Sequence, residues 1–494
     1  MIRFLFPALA ILTGAAGPAA AQAPFYFGAD LSYVNEMEDC GAVYRVNGVA
    51  MDPYRLFAGA GTNLVRVRIW NDAEWTDYSD LDDVRETIRR AKAEGMEVLL
   101  DFHYSDDWAD GDKQIVPKAW RPIRDDVPAL SQALYDYTLG VLTALEAEGL
   151  MPDLVQVGNE TNPELMGELD WKETRPGINW PRNAALLNAG IRAVRDAGRT
   201  GAVQPLVMLH IAQPENVEPW FAAAAEHGVT DFDLIGVSYY RKWSTQGLDG
   251  LGATINRLRH RYPAEVLVVE TSYPFTNEGA DTSPNLLGPD TLLPGYPATE
   301  DGQFRYMVDL TQTVKSNGGV GVVYWEPAWV STHCSTRWGV GSNWENATFF
   351  DWRRGNELTR AAQYARHSYV EPRPVTIGLR RQPGETEPLW LWGDFLGSND
   401  MVVRLAPDPG DPELWIFSTT LAPGLAIRYQ LFDRRPFDRG LIPETDGFVH
   451  AVVADQGSTM IHASGETSGK FESERQPAGG DYGYVAAPAD ARSH

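Results

Sequence analysis

Short apolar runs recur along the chain at intervals of tens of residues, and this recurrence is the feature that most constrains the fold. Each run is nearly continuous in its apolar character rather than alternating, as expected for strands that are covered on both faces of a parallel sheet. Eight such runs are predicted as strands, at 26–32, 63–69, 96–102, 153–158, 205–211, 232–239, 265–270 and 320–326.

Amphipathic segments separate these runs. In 81–93, for example, Leu81, Val84, Ile88 and Ala91 share one face at helical spacing. Eight strands with intervening helices within about 345 residues favour an α/β fold of the closed (β/α)8 TIM barrel type. A doubly wound open sheet is the alternative, and it is disfavoured because no Gly-x-Gly-x-x-Gly fingerprint follows the first strand.

The pattern of apolar and turn-forming residues changes after Pro372. Seven short runs punctuated by Gly, Pro and Asp follow, with no helix-period stretch between them, which predicts a small antiparallel all-β, sandwich-like domain. We therefore expect a catalytic barrel at 22–371, a β domain of unknown role at 375–468 and a flexible tail at 469–494, whose Gly, Ser, Ala and Pro content is typical of disorder.

The first 21 residues have the pattern of a signal peptide. Arg3 supplies the positive region, 4–13 the apolar region and Ala19-Ala20-Ala21 the cleavage site. We expect export to the periplasm or the medium. The apolar run is too short to cross a bilayer, so no membrane association is expected.

The charge balance restricts the classes of partner. Lys and Arg number 42 against 67 Asp and Glu, a formal net charge of −25. Nucleic-acid binding requires clustered cations, so the charge balance argues against this class, whereas neutral partners remain open. No feature of the sequence indicates an obligate protein partner.

Polar groups stand at the carboxyl ends of seven predicted strands, where a barrel carries its chemistry. Glu160 and Glu270 are the most informative, because each follows an apolar strand and a charge there is costly unless it has a task or a partner. Strands four and seven lie on opposing sides of an eight-stranded ring. Paired carboxylates are the minimal equipment for breaking a glycosidic bond, although such a pair could also bind a cation or pair with Arg68.

The chain resembles the family 53 arabinogalactan endo-β-1,4-galactanases in several stretches of residues 25–370. The 101–110 segment is the most specific of them. The matching stretches are FGADLS (27–32), VRVRIW (65–70), DFHYSDDWAD (101–110), PKAW (117–120), QVGNE (156–160), FDLIGVSYY (232–240), ETSYP (270–274) and YWEPAW (324–329).

The resemblance implies a retaining mechanism in which Glu160 is the acid/base and Glu270 the nucleophile. Arg68 is expected to keep Glu270 ionised, and Asn159 to hydrogen-bond the 2-hydroxyl of the sugar. Four further residues are hypothesised to orient the glutamates and the sugar ring: Asp101, His103, His210 and Tyr239. For the two histidines, a purely structural role at the barrel rim is the alternative.

Tryptophans near the strand ends are candidate platforms on which sugars stack. Four of them are predicted to bind substrate: Trp108, Trp120, Trp325 and Trp344. For each one, packing in a loop or in the core is the alternative.

Two segments depart from the family pattern. Arg241 and Lys242 stand where the family usually has Pro-Phe, placing two positive charges near the cleft rim. The segment 279–285 keeps only Asp281 and Asn285 of the calcium loop found in some bacterial members. Calcium takes six to eight oxygen ligands, so we expect no metal by this route, and no cofactor.

The two cysteines fall in loops that the barrel brings together. Cys40 follows strand one and Cys334 follows strand eight, and these strands are neighbours where a barrel closes. We expect a Cys40–Cys334 disulfide; two free thiols are the alternative.

The favoured function is endo-acting hydrolysis of internal β-1,4 bonds in the galactan side chains of pectin. Another barrel glycosidase acting on a different galactan, mannan or glucan is the first alternative. A glycan-binding protein without turnover is the second, and the presence of both Glu160 and Glu270 argues against it.

Overall fold

The structure is a computed structural model. It describes residues 25–167, 177–199, 201–337, 339–382, 384–397, 401–432 and 448–463. The predicted signal peptide and the predicted tail at 469–494 lie outside the described residues.

Eight parallel strands form the central sheet. They are β1 Tyr26–Asp30, β2 Leu64–Ile69, β3 Glu97–Phe102, β4 Leu154–Val157, β5 Leu206–Ala212, β6 Leu234–Ser238, β7 Glu265–Thr271 and β8 Gly321–Tyr324. Strand β1 pairs with both β2 and β8, so the sheet is closed. The predicted barrel is confirmed, and the open-sheet alternative is wrong.

Helices follow the strands around the barrel. They are α1 Val34–Asp39, α2 Pro53–Ala60, α3 Leu81–Ala93, α4 Val127–Ala147, α5 Trp180–Gly198, α6 Pro214–Glu226, α7 Leu248–Arg261 and α8 Glu300–Ser316. Helix α3 has the predicted bounds because Asp80 caps it by accepting a hydrogen bond from Asp83 N (2.9 Å) and because Val84, Ile88 and Ala91 are buried against the sheet.

The amino-terminal half of the barrel interior is filled with apolar side chains. This cluster is made of Tyr26, Leu64, Leu99, Leu154, Met208, Leu234, Leu267, Val269 and Val323. Filling this end leaves room for polar side chains only at the carboxyl ends of the strands, where the interior opens into a mouth.

The extra sheets follow the barrel, as the sequence predicts. Their strands are β9 Arg373–Arg380, β10 Trp390–Gly393, β11 Val402–Arg404, β12 Ala406–Asp408, β13 Asp411–Leu421, β14 Ala426–Phe432, β15 Val449–Val452 and β16 Ser458–Ala463. One sheet has the order β12-β13-β9-β16 and the other β11-β10-β14-β15, and the two share an apolar core that includes Ile377 and Leu391. The pairing is antiparallel except between β9 and β16, which run parallel.

A disulfide joins Cys40 at the end of α1 to Cys334 in the loop after β8, with a Cα–Cα distance of 5.8 Å. The predicted pairing is therefore confirmed, because closure of the barrel places the β1 and β8 loops side by side. No helix in the described part of the chain is both long and apolar enough to cross a membrane.

Candidate active site

Glu160 and Glu270 meet at the mouth of the barrel. Glu160 lies three residues beyond the end of β4, and Glu270 is the penultimate residue of β7. One oxygen of each carboxylate and one ring nitrogen of His210 all lie within 4.8 Å of one another. The two glutamates singled out by their place at strand ends therefore share one site.

The backbone around Glu160 adopts an uncommon conformation. Glu160 has a φ of 43°, and Gly158 before it has a φ of 83°. A Cβ at position 158 would lie 2.6 Å from the side chain of Thr161, so only glycine fits there. A non-glycine residue in the left-handed region costs free energy. Glu160 adopts this conformation at the position where its carboxylate lies at the mouth.

The Glu160 carboxylate accepts two hydrogen bonds. Ser238 Oγ donates to Oε1 (2.6 Å), and Gly111 N donates to Oε2 (3.1 Å). Burial raises the pKa of Glu160, although these two hydrogen bonds and the charge of Arg66 oppose the rise. A raised pKa favours the protonated form of a carboxyl group, which is the form that can donate a proton.

Glu270 is held by a cation and a phenol. Arg66 Nη1 lies 2.8 Å from Oε1, and Tyr240 OH donates to Oε2 (3.1 Å). Burial raises the pKa of Glu270 to about 8; Arg66 opposes the rise, and the charge of Glu160 adds to it. Two carboxylates this close do not both ionise readily. The direct contact with Arg66 favours the ionised form of Glu270.

Arg66, not Arg68, is the arginine that pairs with Glu270. The Arg66 guanidinium also lies 2.8 Å from Asp30 Oδ2 and 2.8 Å from Asp101 Oδ2, and it donates to Asn159 Oδ1 (2.8 Å). Arg68 instead pairs with Glu326 (2.6 Å). The prediction for Arg68 as the partner of Glu270 is therefore wrong. The two arginines share a strand face, and only the contacts of their long side chains separate their roles.

Asp101 and His103 form a buried support beneath the site. Asp101 accepts from Arg66 and from Gln156 Nε2 (2.6 Å), and its Oδ2 lies 3.0 Å from His103 Nε2. Ala109 N donates to His103 Nδ1 (3.2 Å), so both ring nitrogens of His103 are engaged within the protein. Burial alone would raise the pKa of Asp101, but Arg66 and His103 lower it, so this carboxylate stays charged.

Asn159 and His210 lie in the same network. Asn159 Nδ2 donates to Ala109 O (2.8 Å), which leaves its second N–H for another acceptor. His210 Nδ1 lies 2.9 Å from Asn159 Oδ1, and Nε2 lies 2.8 Å from Ser238 Oγ. Burial and the charge of Arg66 hold the pKa of His210 well below its ordinary value, so its ring is neutral. It is placed to position Glu160 through Ser238.

The side chain of Tyr240, and not that of Tyr239, contacts the carboxylate of Glu270. Tyr239 is fully buried, and its hydroxyl donates to Gln246 O (3.1 Å) in the β6 loop. The hypothesis that Tyr239 orients the glutamates is therefore wrong. Consecutive residues at the end of β6 point to different sides of the chain, and the motif contains a tyrosine at both positions.

The four candidate tryptophans have different environments. Trp108 and Trp325 are half-buried at the mouth, with ring centroids 6.0 Å apart. Trp344 is only 2% exposed, and its indole N–H donates to Ser272 Oγ and Trp325 O (3.2 Å each), so it supports Trp325 from below and presents no free face. Trp120 packs edge-on against Tyr137 of α4, with ring centroids 5.8 Å apart.

The loop after β7 is held by hydrogen bonds within the protein. Asp281 Oδ2 accepts from Ser331 Oγ (2.5 Å) and Ser342 N (2.9 Å), and Asn285 Nδ2 donates to Glu345 Oε1 (3.0 Å). Both residues retained from the calcium loop therefore have protein partners.

Within the described ranges, the grouping of three potential metal ligands is Glu160, His210 and Glu270. The hydrogen bonds given above already use their carboxylate oxygens and ring nitrogens. These three side chains therefore have protein partners, and the expectation of no metal stays a prediction.

Reasoning from the sequence did not assign roles to Arg66, Gln156, Ser238 and Tyr240. All four stand in or directly after barrel strands, in the stretches quoted above. The available signal was a polar residue within an otherwise apolar strand. Such a residue can be buried only with partners, but its position does not say which partners it has.

Sequence comparisons relate this chain to known proteins. The sequence model of glycosyl hydrolase family 53 matches residues 26–363. An arabinogalactan endo-β-1,4-galactanase of Cellvibrio japonicus is 53% identical over 347 residues, covering 70% of this chain and 92% of the relative. An endo-β-1,4-galactanase of Bacillus subtilis is 37% identical over 318 residues, covering 62% and 70%.

Solved structures give the same result. The GH53 catalytic domain of Ignisphaera aggregans superposes with a TM-score of 0.63 at 30% identity, covering 70% of this chain and 96% of that domain. A fungal β-1,4-galactanase superposes with a TM-score of 0.59 at 29% identity, covering 70% and 100%. The family match covers well over half of the chain and includes the residues that build the mouth, and this chain therefore belongs to glycosyl hydrolase family 53.

Proposed function

We propose that this chain is a retaining endo-β-1,4-galactanase that cleaves internal bonds in the galactan or arabinogalactan side chains of pectin. Glu160 is the general acid/base and Glu270 the nucleophile. The single observation that carries these roles is the approach of one oxygen of each carboxylate to within 4.8 Å. Retaining glycosidases hold their two carboxyl groups about 5–5.5 Å apart, whereas inverting enzymes leave room for a water molecule.

The geometry supports a double displacement. In the first step, Glu160 protonates the glycosidic oxygen while Glu270 attacks the anomeric carbon, so that the bond to the leaving sugar breaks as a glycosyl ester forms. In the second step, Glu160 takes a proton from water, the water oxygen attacks the same carbon and Glu270 leaves as a carboxylate. Arg66 and Tyr240 keep Glu270 in place as its charge is lost and regained. The remaining N–H of Asn159 is available to the 2-hydroxyl of the sugar.

The proposed setting of the enzyme is outside the cytoplasm. A disulfide between Cys40 and Cys334 persists in oxidising compartments, and the first 21 residues have the composition of an export signal. We assign residues 22–371 to the catalytic barrel and 375–468 to a β domain with a packing role, because the described sheets contact α7 of the barrel.

Azide rescue tests the two roles. Glu270→Ala should lower galactan turnover by at least about 10⁴-fold, and added azide should restore cleavage of an activated aryl β-galacto-oligosaccharide with an α-glycosyl azide as product. Glu160→Ala with azide should give the β-azide instead, because the second displacement is then made by azide. Glu226→Ala, which removes an exposed glutamate of α6, is the control. Near-normal turnover in Glu270→Ala would overturn the assignment.

Product analysis tests the substrate. Linear β-1,4-galactan, β-1,3-galactan and β-mannan are incubated with the protein, and the oligosaccharides are separated over time. We expect a range of short galacto-oligosaccharides from β-1,4-galactan at early times, as internal cleavage requires. Faster cleavage of another polysaccharide would support the same-clan alternative, and binding of galactan without any product would support a glycan-binding protein.

A further inference from the structure

A second buried ion pair lies beside the catalytic one. Arg68 and Glu326 are 2% and 0% exposed, and Arg68 Nη1 lies 2.6 Å from Glu326 Oε1. In the described structure, the ion pairs and hydrogen bonds of Glu160 and Glu270 include neither residue; Arg66 serves Glu270 instead. Arg68 and Glu326 therefore have no place in the proposed proton and bond transfers.

The Arg68 guanidinium lies among aromatic rings from three neighbouring elements. Its central carbon is 4.3 Å from the ring centre of Tyr33, 4.8 Å from that of Trp70 and 4.5 Å from that of Trp108. Tyr33 is in the β1 loop, Trp70 follows β2 and Trp108 is in the β3 loop. A planar cation attracts the faces of aromatic rings, so Arg68 holds three loops of the mouth at one point.

Glu326 connects this cluster to β8. It has a φ of 49°, follows Trp325 directly and accepts a hydrogen bond from Tyr33 N through Oε2 (3.3 Å). Tyr33 in turn stacks on Trp329, with ring centres 4.0 Å apart. The pair thus ties the loop carrying Trp108 to the strand end carrying Trp325.

Stability alone does not account for such a pair. Taking two charges out of water costs about as much as their attraction returns, and apolar residues of similar volume often serve equally well. This ion pair fixes the geometry of its neighbours, because the planar guanidinium contacts the aromatic rings in defined orientations. That geometry matters most for the two half-buried indoles, Trp108 and Trp325, which line the mouth.

We infer that Arg68 and Glu326 are positioning residues that hold Trp108 and Trp325 as one wall of the sugar-binding cleft. The inference rests on the proposed galactanase function. The pair acts on substrate binding, through the indoles, and not on the proton transfers of Glu160.

The test separates binding from chemistry. Arg68→Met and Glu326→Gln are compared with wild type for KM and kcat on β-1,4-galactan, and for the affinity of a galacto-oligosaccharide measured by tryptophan fluorescence in the Glu270→Ala background. Because two indole faces that stack on the sugar would lose their fixed positions, we expect KM and the dissociation constant to rise about tenfold. We expect kcat to change by less than about threefold and the pH profile of kcat to keep its shape.

The double variant and Arg68→Lys complete the experiment. If the residues act as a unit, Arg68→Met/Glu326→Gln should weaken binding no more than the worse single variant. Arg68→Lys should have an affinity between those of Arg68→Met and wild type, because lysine keeps the positive charge but lacks the planar guanidinium group. Circular dichroism and thermal melting identify the variants that fold. If Arg68→Met does not fold, Glu326→Gln, which preserves the shape of the side chain, provides the test.

The outcomes distinguish the two proposals. Wild-type protein that leaves galactan intact contradicts the proposed function. Wild-type cleavage with unchanged KM and affinity in the folded variants overturns the positioning role. A fall in kcat as large as the fall in kcat/KM, or a shifted pH profile, also overturns it, because the pair would then act on the chemistry.

Discussion

At the scale of single residues, one buried cation organises the site. Arg66 contacts Glu270, Asp30, Asp101 and Asn159 at 2.8 Å each. An uncompensated carboxylate would be costly at this depth, so the acidic groups at the mouth depend on Arg66. The asymmetry between the two glutamates follows from it, since Glu270 has the cation whereas Glu160 has a serine and a backbone N–H.

Removing the Ser238 hydroxyl should shift the pH dependence of activity. Ser238 donates to Glu160 Oε1 and lowers the pKa of that carboxyl group. In Ser238→Ala the pKa of Glu160 should therefore rise further, because the ionised carboxylate loses a hydrogen bond that stabilises it. The alkaline limb of kcat/KM against pH should move upward accordingly. Ser238→Thr, which keeps the hydroxyl, is the control; an unmoved or lowered limb contradicts the account.

At the scale of elements, the loops after β1, β7 and β8 hold one another. The disulfide joins Cys40 to Cys334, and Asp281 in the β7 loop accepts hydrogen bonds from Ser331 and Ser342 in the β8 loop. These loops surround the mouth on the side of Trp325. The rim is therefore cross-linked covalently on one side and by charge-assisted hydrogen bonds on the other.

Breaking the disulfide should cost stability. The bond closes a loop with a sequence separation of 294 residues, and removing native disulfides lowers the free energy of unfolding by about 2–4 kcal/mol. We expect Cys40→Ser/Cys334→Ser to unfold at lower denaturant concentration than wild type. Wild type measured with reductant should match the variant. Equal stability of oxidised wild type and variant would show that the cross-link contributes nothing.

At the scale of the whole molecule, the extra sheets contact the barrel near the end of α7. Arg257 Nη1 donates to Gly397 O (2.8 Å), His260 Nε2 lies 3.2 Å from Thr419 Oγ1, and the His260 ring lies 5.4 Å from that of Phe417. Helix α7 leads into β7, so its last turn lies at the amino ends of the strands. These contacts are therefore at the opposite end of the barrel from the mouth.

This interface should be sensitive to acid. Burial and the charge of Arg259 lower the pKa of His260 to about 4. The unfolded chain binds a proton near pH 6.5 and the folded protein does not, so stability present above pH 6.5 is lost as the pH falls toward 4. Because glutamine does not titrate, the fall in the free energy of unfolding between pH 7 and pH 4 should be smaller in His260→Gln by up to about 3 kcal/mol.

Denaturant unfolding of both proteins at pH 7 and pH 4 measures the difference. As the pH is lowered, the free energy of unfolding should fall less in the variant than in wild type. The galactan products should be unchanged, because the interface lies away from the mouth. A constant difference between the two proteins across this range would contradict the buried, neutral histidine.

The fold was predictable because its signals are local. Continuous apolar runs specify strands that are buried on both faces, and 81–93 shows its helical face and its cap without any tertiary information. Strand order in a barrel follows chain order, so the convergence of Glu160 with Glu270 and the pairing of Cys40 with Cys334 follow from their places at strand ends.

The partners within the site were not predictable in the same way. Arg66 and Arg68 are two residues apart and share a face, and Tyr239 and Tyr240 are adjacent, so neither spacing nor residue type selects the one that reaches Glu270. Trp344 could be a platform or a support until its burial is seen. The sequence by itself determined which segments surround the mouth, because strand order follows chain order. Only the tertiary structure decided which of their side chains are in contact. Each long side chain can reach several partners from distant segments, and packing selects among them.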